Sequence, residues 1–203
     1  MTAVALLDYG AGNLRSAQRA LERAGATVTI TANADTAAQA DALVVPGVGH
    51  FGQCVRQFLA AGLRDLVQDW VAGGRPLLGI CVGMQIMYPS SDEDPLVKGL
   101  GLLPGTVRRL PPTVTVPHMG WNTVDAVRDD KLLEGVAGEF VYFVHSYAAV
   151  PGEDDHVVAT CDYGPGFPAV VRVGPVVATQ FHPEKSGDVG ARLLANWVRE
   201  VQA

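Results

Sequence analysis

The first half of the chain alternates short apolar runs with segments whose apolar residues recur at helical spacing. The apolar runs predict buried strands over residues 4–8, 26–30, 42–45 and 77–80. The segments between them predict helices over residues 14–24, 51–61 and 63–72, with a further helix opening over residues 82–88. Strands that alternate with helices imply a parallel sheet, whose ligands bind beyond the carboxyl ends of the strands.

From Thr106 onward, short β-rich segments replace this alternation. They predict strands over residues 106–109, 114–116, 121–124, 140–144, 157–161, 169–173 and 176–180. The chain then ends in a predicted amphipathic helix between Val189 and Val201. We therefore predict an α/β fold in which a mostly parallel central sheet is flanked by helices and extended by an antiparallel β portion.

Composition limits the class of protein. A length of 203 residues with 48% hydrophobic content predicts one domain over residues 1–203. The net charge of -6, with no basic cluster beyond residues 108–109, argues against nucleic acid and anionic membranes as partners. The N-terminal apolar run over residues 3–7 lacks a basic flank and is too short to span a bilayer, so neither a signal peptide nor an anchor is predicted.

The cysteines indicate a reducing, cytoplasmic compartment. Cys54, Cys81 and Cys161 are too few and too scattered for a disulfide framework. None has metal-ligand spacing to a second cysteine or to a histidine, so no metal site is predicted. We interpret Cys54 and Cys161 as structural, because free cysteine is among the most buried residue types.

Cys81 stands between a predicted strand and a predicted helix in the pattern Gly-x-Cys-x-Gly. Gly79 and Gly83 suit a strained turn that lifts one side chain clear of the sheet, where a neighbouring Cβ has no room. A thiol at a helix N-terminus is also favoured as the nucleophilic thiolate. The alternative is a cysteine that only packs in the core, so the hypothesis of a nucleophile depends on its partners.

A base for Cys81 is predicted near the C-terminus. His182 directly follows a β-rich run, and Glu184 lies two residues further on, where an extended segment projects it to the same side. Cys81, His182 and Glu184 can therefore form a triad, whereas the alternative is an exposed His–Glu pair at a strand end. His50 is interpreted as a capping or surface residue rather than as the base.

Glycine-rich turns follow two of the predicted strands. The turn over residues 46–49, Pro-Gly-Val-Gly, could aim peptide N–H groups into a cleft as an oxyanion hole requires, or could simply be a tight turn before a helix. The turn after Asp8 is not a dinucleotide site, because Arg15 occupies the position of the third glycine. The acidic segment over residues 90–95 is predicted to be an exposed loop.

Several motifs together resemble one family. The Cys81 motif, which continues as Gly83-Met84-Gln85, and the sequence Phe-His-Pro-Glu over residues 181–184 resemble class I glutamine amidotransferases, whose fold is flavodoxin-like. More narrowly, the chain resembles the glutaminase subunits of imidazole glycerol phosphate synthase in its motifs over residues 8–14, 46–51, 117–122, 145–147 and 182–186. The resemblance spans nearly the whole chain, and the segment over residues 90–98 is the part that matches no family pattern.

The resemblance implies an enzyme that hydrolyses L-glutamine to glutamate and ammonia without a cofactor. Cys81 would attack the side-chain amide, and His182 would give the leaving ammonia a proton. The implied oxyanion-hole residues are Gly47, Val48, Gly49 and Val82. The residues implied to bind the amino-acid end of glutamine are Gln85, His145, Ser146 and Tyr147.

The resemblance also implies a partner protein, because ammonia released into water would be protonated and lost. That partner is a cyclase subunit of (β/α)8-barrel type, which forms imidazole glycerol phosphate and AICAR from the phosphoribulosyl intermediate PRFAR in histidine biosynthesis. The residues implied to face it in the heterodimer are Asn13, Trp121, Asn122, Tyr142 and Lys185. A further hypothesis is that a peptide of the 46–49 loop rests with its N–H turned away until the loaded barrel docks.

Two other readings stay open at this point. The chain could be the glutaminase subunit of another synthase, such as the one that feeds pyridoxal phosphate formation, although the motifs over residues 46–49 and 117–122 argue against this. It could also be a non-catalytic regulator that keeps the fold and binds a metabolite. The intact set of Cys81, His182 and Glu184 disfavours that second reading.

Overall fold

A computed structural model describes residues 1–203 of the chain. The strands are β1 (Thr2–Leu7), β2 (Ala26–Thr31), β3 (Ala42–Val45), β4 (Leu77–Ile80), β5 (Gly105–Arg109), β6 (His118–Thr123), β7 (Asp125–Ala126), β8 (Phe140–His145), β9 (Tyr147–Pro151), β10 (Val157–Cys161), β11 (Phe167–Val173) and β12 (Val176–Thr179). The helices are α1 (Leu14–Arg23), α2 (Ala34–Ala38), α3 (Phe51–Ala60), α4 (Arg64–Ala72), α5 (Val82–Gln85) and α6 (Gly187–Val201). Short 3₁₀ helices cover Lys131–Leu133, Asp154–His156 and Pro183–Lys185.

Eight strands form the central sheet in the order β2-β1-β3-β4-β12-β11-β10-β7. The five strands from β2 to β12 in this order pair in parallel, and β11, β10 and β7 continue the sheet antiparallel. Two small antiparallel sheets, β5–β9 and β6–β8, are separate from it. The predicted α/β fold with its antiparallel portion is therefore confirmed.

The sheet is buried between helices in one apolar core. Strands β3, β4 and β12 are buried along their whole length, as the near-continuous apolar runs of a covered parallel sheet require. The C-terminal helix α6 buries Leu193, Leu194, Trp197 and Val198 on one face, which explains its helical spacing of apolar residues. No helix has both the length and the apolar character needed to cross a membrane.

Two predicted elements are wrong. Residues 114–116 form an irregular loop and not a strand, in a stretch where Pro111, Pro112 and Pro117 have no N–H to give to a ladder. The helix opened by Val82 ends at Gln85, after which the backbone turns so that Ile86 and Met87 accept hydrogen bonds from residues 100–103. The strand β9, with two alanines and a closing proline, carries too weak a β-pattern to be predicted from the sequence.

The acidic segment is also not the freely solvated loop that was predicted. Ser91 is buried, and the amide of Asp92 donates to Val107 O at 2.9 Å. Glu93 Oε2 accepts from the amide of Phe51 at 2.6 Å, and Asp94 forms an ion pair with Arg56 at 3.1 Å. Both contacts are made to α3: Glu93 accepts from a free amide at the helix N-terminus, where the dipole favours a carboxylate, and Asp94 pairs with a side chain one turn further along the helix.

Candidate active site

The parallel pairing of β4 with β12 brings two distant parts of the chain to one edge of the sheet. Thr179 lies opposite Ile80 at the carboxyl ends of these strands, and the amide of Cys81 donates to Thr179 O at 2.8 Å. Cys81 therefore directly follows β4, and His182 follows the neighbouring strand β12 at the same edge of the sheet. Both residues line the same cavity, as the predicted triad requires.

Cys81 has a strained backbone. Its φ of 55° and ψ of -114° make it the one non-glycine residue with a positive φ. Such a conformation costs about 1–3 kcal/mol in a residue that has a Cβ, and it persists only where the surroundings enforce it. The tight turn from β4 into α5 enforces it here and holds the buried thiol at the cavity wall.

The glycines on either side of Cys81 stand in crowded positions, and at Gly83 the obstacle is backbone that cannot move aside. A Cβ on Gly83 would overlap Val45 O and lie 2.8 Å from Val45 C, and a Cβ on Gly79 would lie 2.7 Å from Met87 Cε. A Cβ on Gly47 would meet the peptide between Val82 and Gly83, 2.8 Å from Val82 C. The 46–49 loop is thus pressed against the start of α5, which is possible only because both backbones lack side chains at the contact.

His182 and Glu184 form a buried pair. The Nδ1 atom of His182 lies 2.8 Å from Glu184 Oε1, and the two side chains are 2% and 4% exposed. This bond places the Nδ1 proton toward the carboxylate and leaves Nε2 without a hydrogen-bond partner in the protein. Burial lowers the pKa of His182, but the Cys81 sulfur and the Glu184 carboxylate outweigh that effect and raise the pKa to about 9.

The cavity beside Cys81 has a volume of about 660 Å³, which is large enough for an amino acid. Its lining includes most of the residues implied by the sequence: Asn13, Val48, Gly49, Cys81, Val82, Gln85, His145, Ser146, Tyr147, His182 and Lys185. Gly47 and Glu184 line a smaller crevice beneath it instead. Trp121, Asn122 and Tyr142 belong to neither space.

Four backbone amides near Cys81 make no hydrogen bond within the protein. The amides of Gly47, Val48, Gly49 and Val82 donate to no protein acceptor. Beneath the loop, the Tyr9 hydroxyl donates to Pro46 O, and the Cys54 thiol donates to Val48 O at 3.4 Å. The loop carbonyls are therefore held from below, while its N–H groups stay available to a ligand.

The two other cysteines differ from Cys81. Burial, together with the charges of Cys81 and Glu93, raises the pKa of Cys54 to about 11. Burial, together with the charges of Asp125 and Asp162, raises the pKa of Cys161 to about 12. Both thiols stay protonated and inert at neutral pH, which agrees with their structural interpretation.

The predicted glutamine-binding segment is held by a histidine pair. His145 Nδ1 lies 2.9 Å from Tyr147 O, and its Nε2 lies 3.1 Å from His118 Nδ1. Burial lowers the pKa of His145 to about 4, with the charges of His118 and His182 acting in the same direction, so the ring is neutral. Its ring atoms are thus occupied by neighbours, and Ser146 is left with a hydroxyl that makes no protein hydrogen bond.

Glu93 is a site residue that the sequence did not reveal. It is the one carboxylate among the residues that line the main cavity, and its other contact fixes it to the amide of Phe51. The sequence offered no usable signal, because its partner on α3 is 42 positions away and the surrounding acids resemble a solvated turn.

The residues implied to face a partner form a partly apolar surface. Trp121 is 56% exposed and meets the Tyr142 ring edge-on at a centroid distance of 6.1 Å. Lys185 Nζ lies 6.0 Å from the same ring, which links this surface to the cavity that Lys185 also lines. Asn122 instead uses its side-chain amide to bond Asp162 O at 3.1 Å, and Asn13 caps α1.

A strained cysteine at the end of a central parallel strand, beside a buried His–Glu pair, is the arrangement of a triad amidotransferase. The chain belongs to the class-I glutamine amidotransferase family, whose family model matches residues 5–201. It is 50% identical to imidazole glycerol phosphate synthase subunit HisH of Renibacterium salmoninarum, over 100% of this chain and 96% of that protein. It is 52% identical to the subunit of the same name in Nocardia farcinica, over 96% of each chain.

Other relatives agree in name and in fold. The HisH subunit of Methanothermobacter thermautotrophicus is 46% identical over 98% of this chain and 100% of that protein. A crystal structure of a glutamine amidotransferase superposes with a TM-score of 0.79 at 23% identity, covering 98% of this chain and 99% of the other. The structure of PurLQS from Thermotoga maritima gives a TM-score of 0.77 at 19% identity, covering 100% and 98%. At these identities the two structures show the fold alone.

Proposed function

We propose that this chain is the glutaminase subunit of an imidazole glycerol phosphate synthase. It hydrolyses L-glutamine to glutamate and ammonia, and the ammonia passes to a cyclase subunit that forms imidazole glycerol phosphate and AICAR from PRFAR. The observation that carries this proposal is Cys81, held at a strained turn in the same cavity as the buried pair of His182 and Glu184. Relatives about half identical over the whole chain support the particular synthase.

The chemistry follows from the protonation states. Because its pKa is raised, His182 holds a proton beside the Cys81 sulfur at neutral pH, which favours a thiolate–imidazolium pair. The thiolate attacks the side-chain carbonyl carbon of glutamine, and the oxyanion accepts hydrogen bonds from the free amides of Val82 and the 46–49 loop. His182 then gives its Nε2 proton to the leaving nitrogen, and ammonia departs as the thioester forms.

The second half of the reaction uses the same groups in reverse. His182 Nε2, now neutral, takes a proton from a water molecule that attacks the thioester carbonyl. The tetrahedral intermediate collapses to glutamate, and the sulfur recovers its role as thiolate beside the imidazolium. Glu184 holds the ring through Nδ1 in both steps, so that Nε2 always faces the cavity.

Substrate binding is assigned to other residues that line the same cavity as Cys81. We place the ammonium group of glutamine at Glu93, since this is the carboxylate that lines the space. Gln85 contributes through its oxygen, because its nitrogen is already used to donate to Tyr147 O at 2.9 Å. Ser146 supplies its unpaired hydroxyl next to that segment.

The docking face for the cyclase is the outer side of β6–β8. Met119, Trp121 and Phe140 are each more than half exposed there, which is unusual for large apolar side chains. A (β/α)8-barrel subunit that covers this face and the mouth of the cavity would receive ammonia without contact with water. We further propose that residues 1–203 act as one catalytic domain, in the cytoplasm.

Glutamate release tests the proposal. The wild-type chain and the Cys81→Ala variant are assayed alone, with the candidate cyclase, and with the cyclase loaded with its phosphoribulosyl ligand. We expect release by the wild type that rises on adding loaded cyclase, and none by the variant. Replacing the cyclase by the barrel of a pyridoxal phosphate synthase should give no rise; a rise with that barrel instead would assign the chain to the other synthase.

The same assay tests the hypothesis of a resting loop. If a peptide of the 46–49 loop turns its N–H into the cavity only on docking, release by the isolated chain is very slow. A rate that is the same with and without loaded cyclase would refute this loop mechanism, while leaving the assignment of glutaminase activity intact.

A further inference from the structure

A fully buried amide side chain, that of Gln180, contacts the sulfur of Cys81. Its Nε2 lies 3.8 Å from Cys81 Sγ, within the range of an N–H···S hydrogen bond. Its Oε1 accepts from Gln85 Nε2 at 3.1 Å. Gln180 has no exposed surface, and burying an unpaired amide costs about 1–3 kcal/mol, so these two contacts determine how its side chain is held.

The direction of these hydrogen bonds is fixed by one backbone carbonyl. Tyr147 O can only accept, so the atom of Gln85 that faces it at 2.9 Å is the amide nitrogen. That nitrogen also donates to Gln180, which requires the oxygen of Gln180 at this contact. The nitrogen of Gln180 is therefore the atom that faces Cys81, and it donates a hydrogen toward the sulfur.

The anchoring carbonyl is itself held by the buried histidine pair. Because Tyr147 O accepts from His145 Nδ1, the Nε2 atom of His145 is an acceptor and His118 Nδ1 is the donor to it. One chain of hydrogen bonds thus runs from His118, through the segment assigned to glutamine binding, to the sulfur. Because His145 and Gln85 both donate to Tyr147 O, the direction of donation reverses at this oxygen, and the histidine pair acts by fixing its position. The polarisation that strengthens the final N–H arises at Gln180 itself, whose oxygen accepts from Gln85 while its nitrogen donates toward the sulfur.

We propose that Gln180 is a positioning residue that holds Cys81 as a thiolate and ties it to the glutamine-binding segment. A thiolate accepts a hydrogen bond more strongly than a thiol does, so a fixed N–H donor favours the reactive form and limits where the sulfur can point. The inference rests on the proposed glutaminase function and adds to it a residue outside the triad.

Two variants isolate the donor. Gln180→Glu keeps the oxygen that Gln85 requires but replaces the nitrogen, and Gln180→Met removes both polar atoms at similar length. The matched control is Thr179→Val, at the fully buried preceding residue that ends β12, whose hydroxyl donates to Phe181 O at 3.0 Å and does not contact the cavity. Circular dichroism and thermal unfolding establish that each variant is folded.

The main readout is the rate at which iodoacetamide alkylates Cys81, followed by peptide mass spectrometry across pH. Gln180→Glu adds one carboxyl group beside the sulfur, so Gln180→Met, which adds none, carries the comparison of charge. The other titratable groups around the sulfur are the same in all the proteins compared: Tyr9, Cys54, Glu93, His145, His182, Glu184 and Lys185. We expect alkylation near neutral pH to slow by about threefold to tenfold in both Gln180 variants, with the midpoint moved to higher pH. Thr179→Val should follow the wild type.

Glutamine hydrolysis in the complex gives the second readout. A positioning role for the sulfur predicts a lower kcat with little change in KM in Gln180→Glu, which keeps the oxygen that accepts from Gln85, whereas Gln180→Met removes this acceptor and should raise KM as well. Alkylation profiles that coincide with the wild type in both Gln180 variants would overturn the proposal, as would an equal shift in Thr179→Val. Alkylation of Cys81 requires no turnover, so it tests the role of Gln180 even if the complex does not hydrolyse glutamine.

If neither variant folds, the wild type supplies the test. The ¹⁵N-labelled side-chain amide of Gln180 should shift in NMR spectra with the same pH midpoint as the alkylation of Cys81. A Gln180 amide that does not respond to that titration would overturn the proposal.

Discussion

Replacing the strained cysteine by glycine should stabilise the protein relative to alanine. Cys81 has φ 55° and ψ -114°, a conformation that any residue with a Cβ adopts at a cost of about 1–3 kcal/mol. Cys81→Ala keeps that strain because it keeps the Cβ, whereas Cys81→Gly removes it. Both variants lose the same buried sulfur, and the buried Cβ that only the glycine variant loses is also lost in an Ala178→Gly control, so comparison with that control isolates the backbone contribution.

The expected difference follows from two opposing effects. Glycine relieves about 1–3 kcal/mol of strain but loses about 0.5–1 kcal/mol because its unfolded chain is more flexible. The glycine variant should therefore be at least as stable as the alanine variant, by about 0–2.5 kcal/mol. For a chain of this length, each kcal/mol corresponds to about 2–4 °C in Tm.

Urea and thermal unfolding of the two variants measure this difference directly. The control is Ala178→Gly in β12, an unstrained and fully buried strand position, where glycine should cost about 1 kcal/mol or more. Opposite signs at the two positions would support a strained nucleophile turn. A Cys81→Gly variant that is less stable than Cys81→Ala would refute the reasoning.

Three further outcomes are expected. Since His182 has a pKa raised from 6.5 to about 9, the stability it contributes is complete below about pH 6.5 and is lost as pH rises through about 9; unfolding free energies should decline over this range in the wild type and less in His182→Asn. Glu93→Gln should raise KM for glutamine by about tenfold or more, whereas Asp92→Asn, an exposed neighbour, should not change it. Trp121→Ala should weaken cyclase binding by about tenfold or more in calorimetry. Leu59→Ala, which replaces an exposed apolar residue near the C-terminal end of α3, should not weaken it.

Local patterns in the sequence predicted the elements that carry the candidate nucleophile and base. The strand before Cys81 is a continuous apolar run, and the glycines on either side mark a tight turn in which a Cβ on Gly83 would overlap the backbone of Val45. His182 and Glu184 are two residues apart, so their pairing needed no knowledge of tertiary structure. Each of these features lies within a short segment, where the order of residue types determines the local backbone geometry.

Features that depend on contacts between distant segments could not be predicted. Glu93 lies in a polar run that resembles any solvated turn, and only the fold brings it to α3 and the cavity. Gln180 ends a β-rich run, where a polar residue gives no sign of its contact with a sulfur 99 positions earlier. The wrong strand at residues 114–116 has a related cause, because β-branched residues suggested a strand in a proline-rich stretch.

Covalent capture of the nucleophile tests the central claim most directly. A glutamine analogue with an electrophilic carbon in place of the side-chain amide is incubated with the chain and its loaded cyclase, and the modified peptide is identified by mass spectrometry. We predict one adduct, on Cys81, with Cys54 and Cys161 unmodified, and a markedly slower reaction in His182→Ala. An unmodified Cys81, or modification at the same rate without the imidazole, would contradict the account.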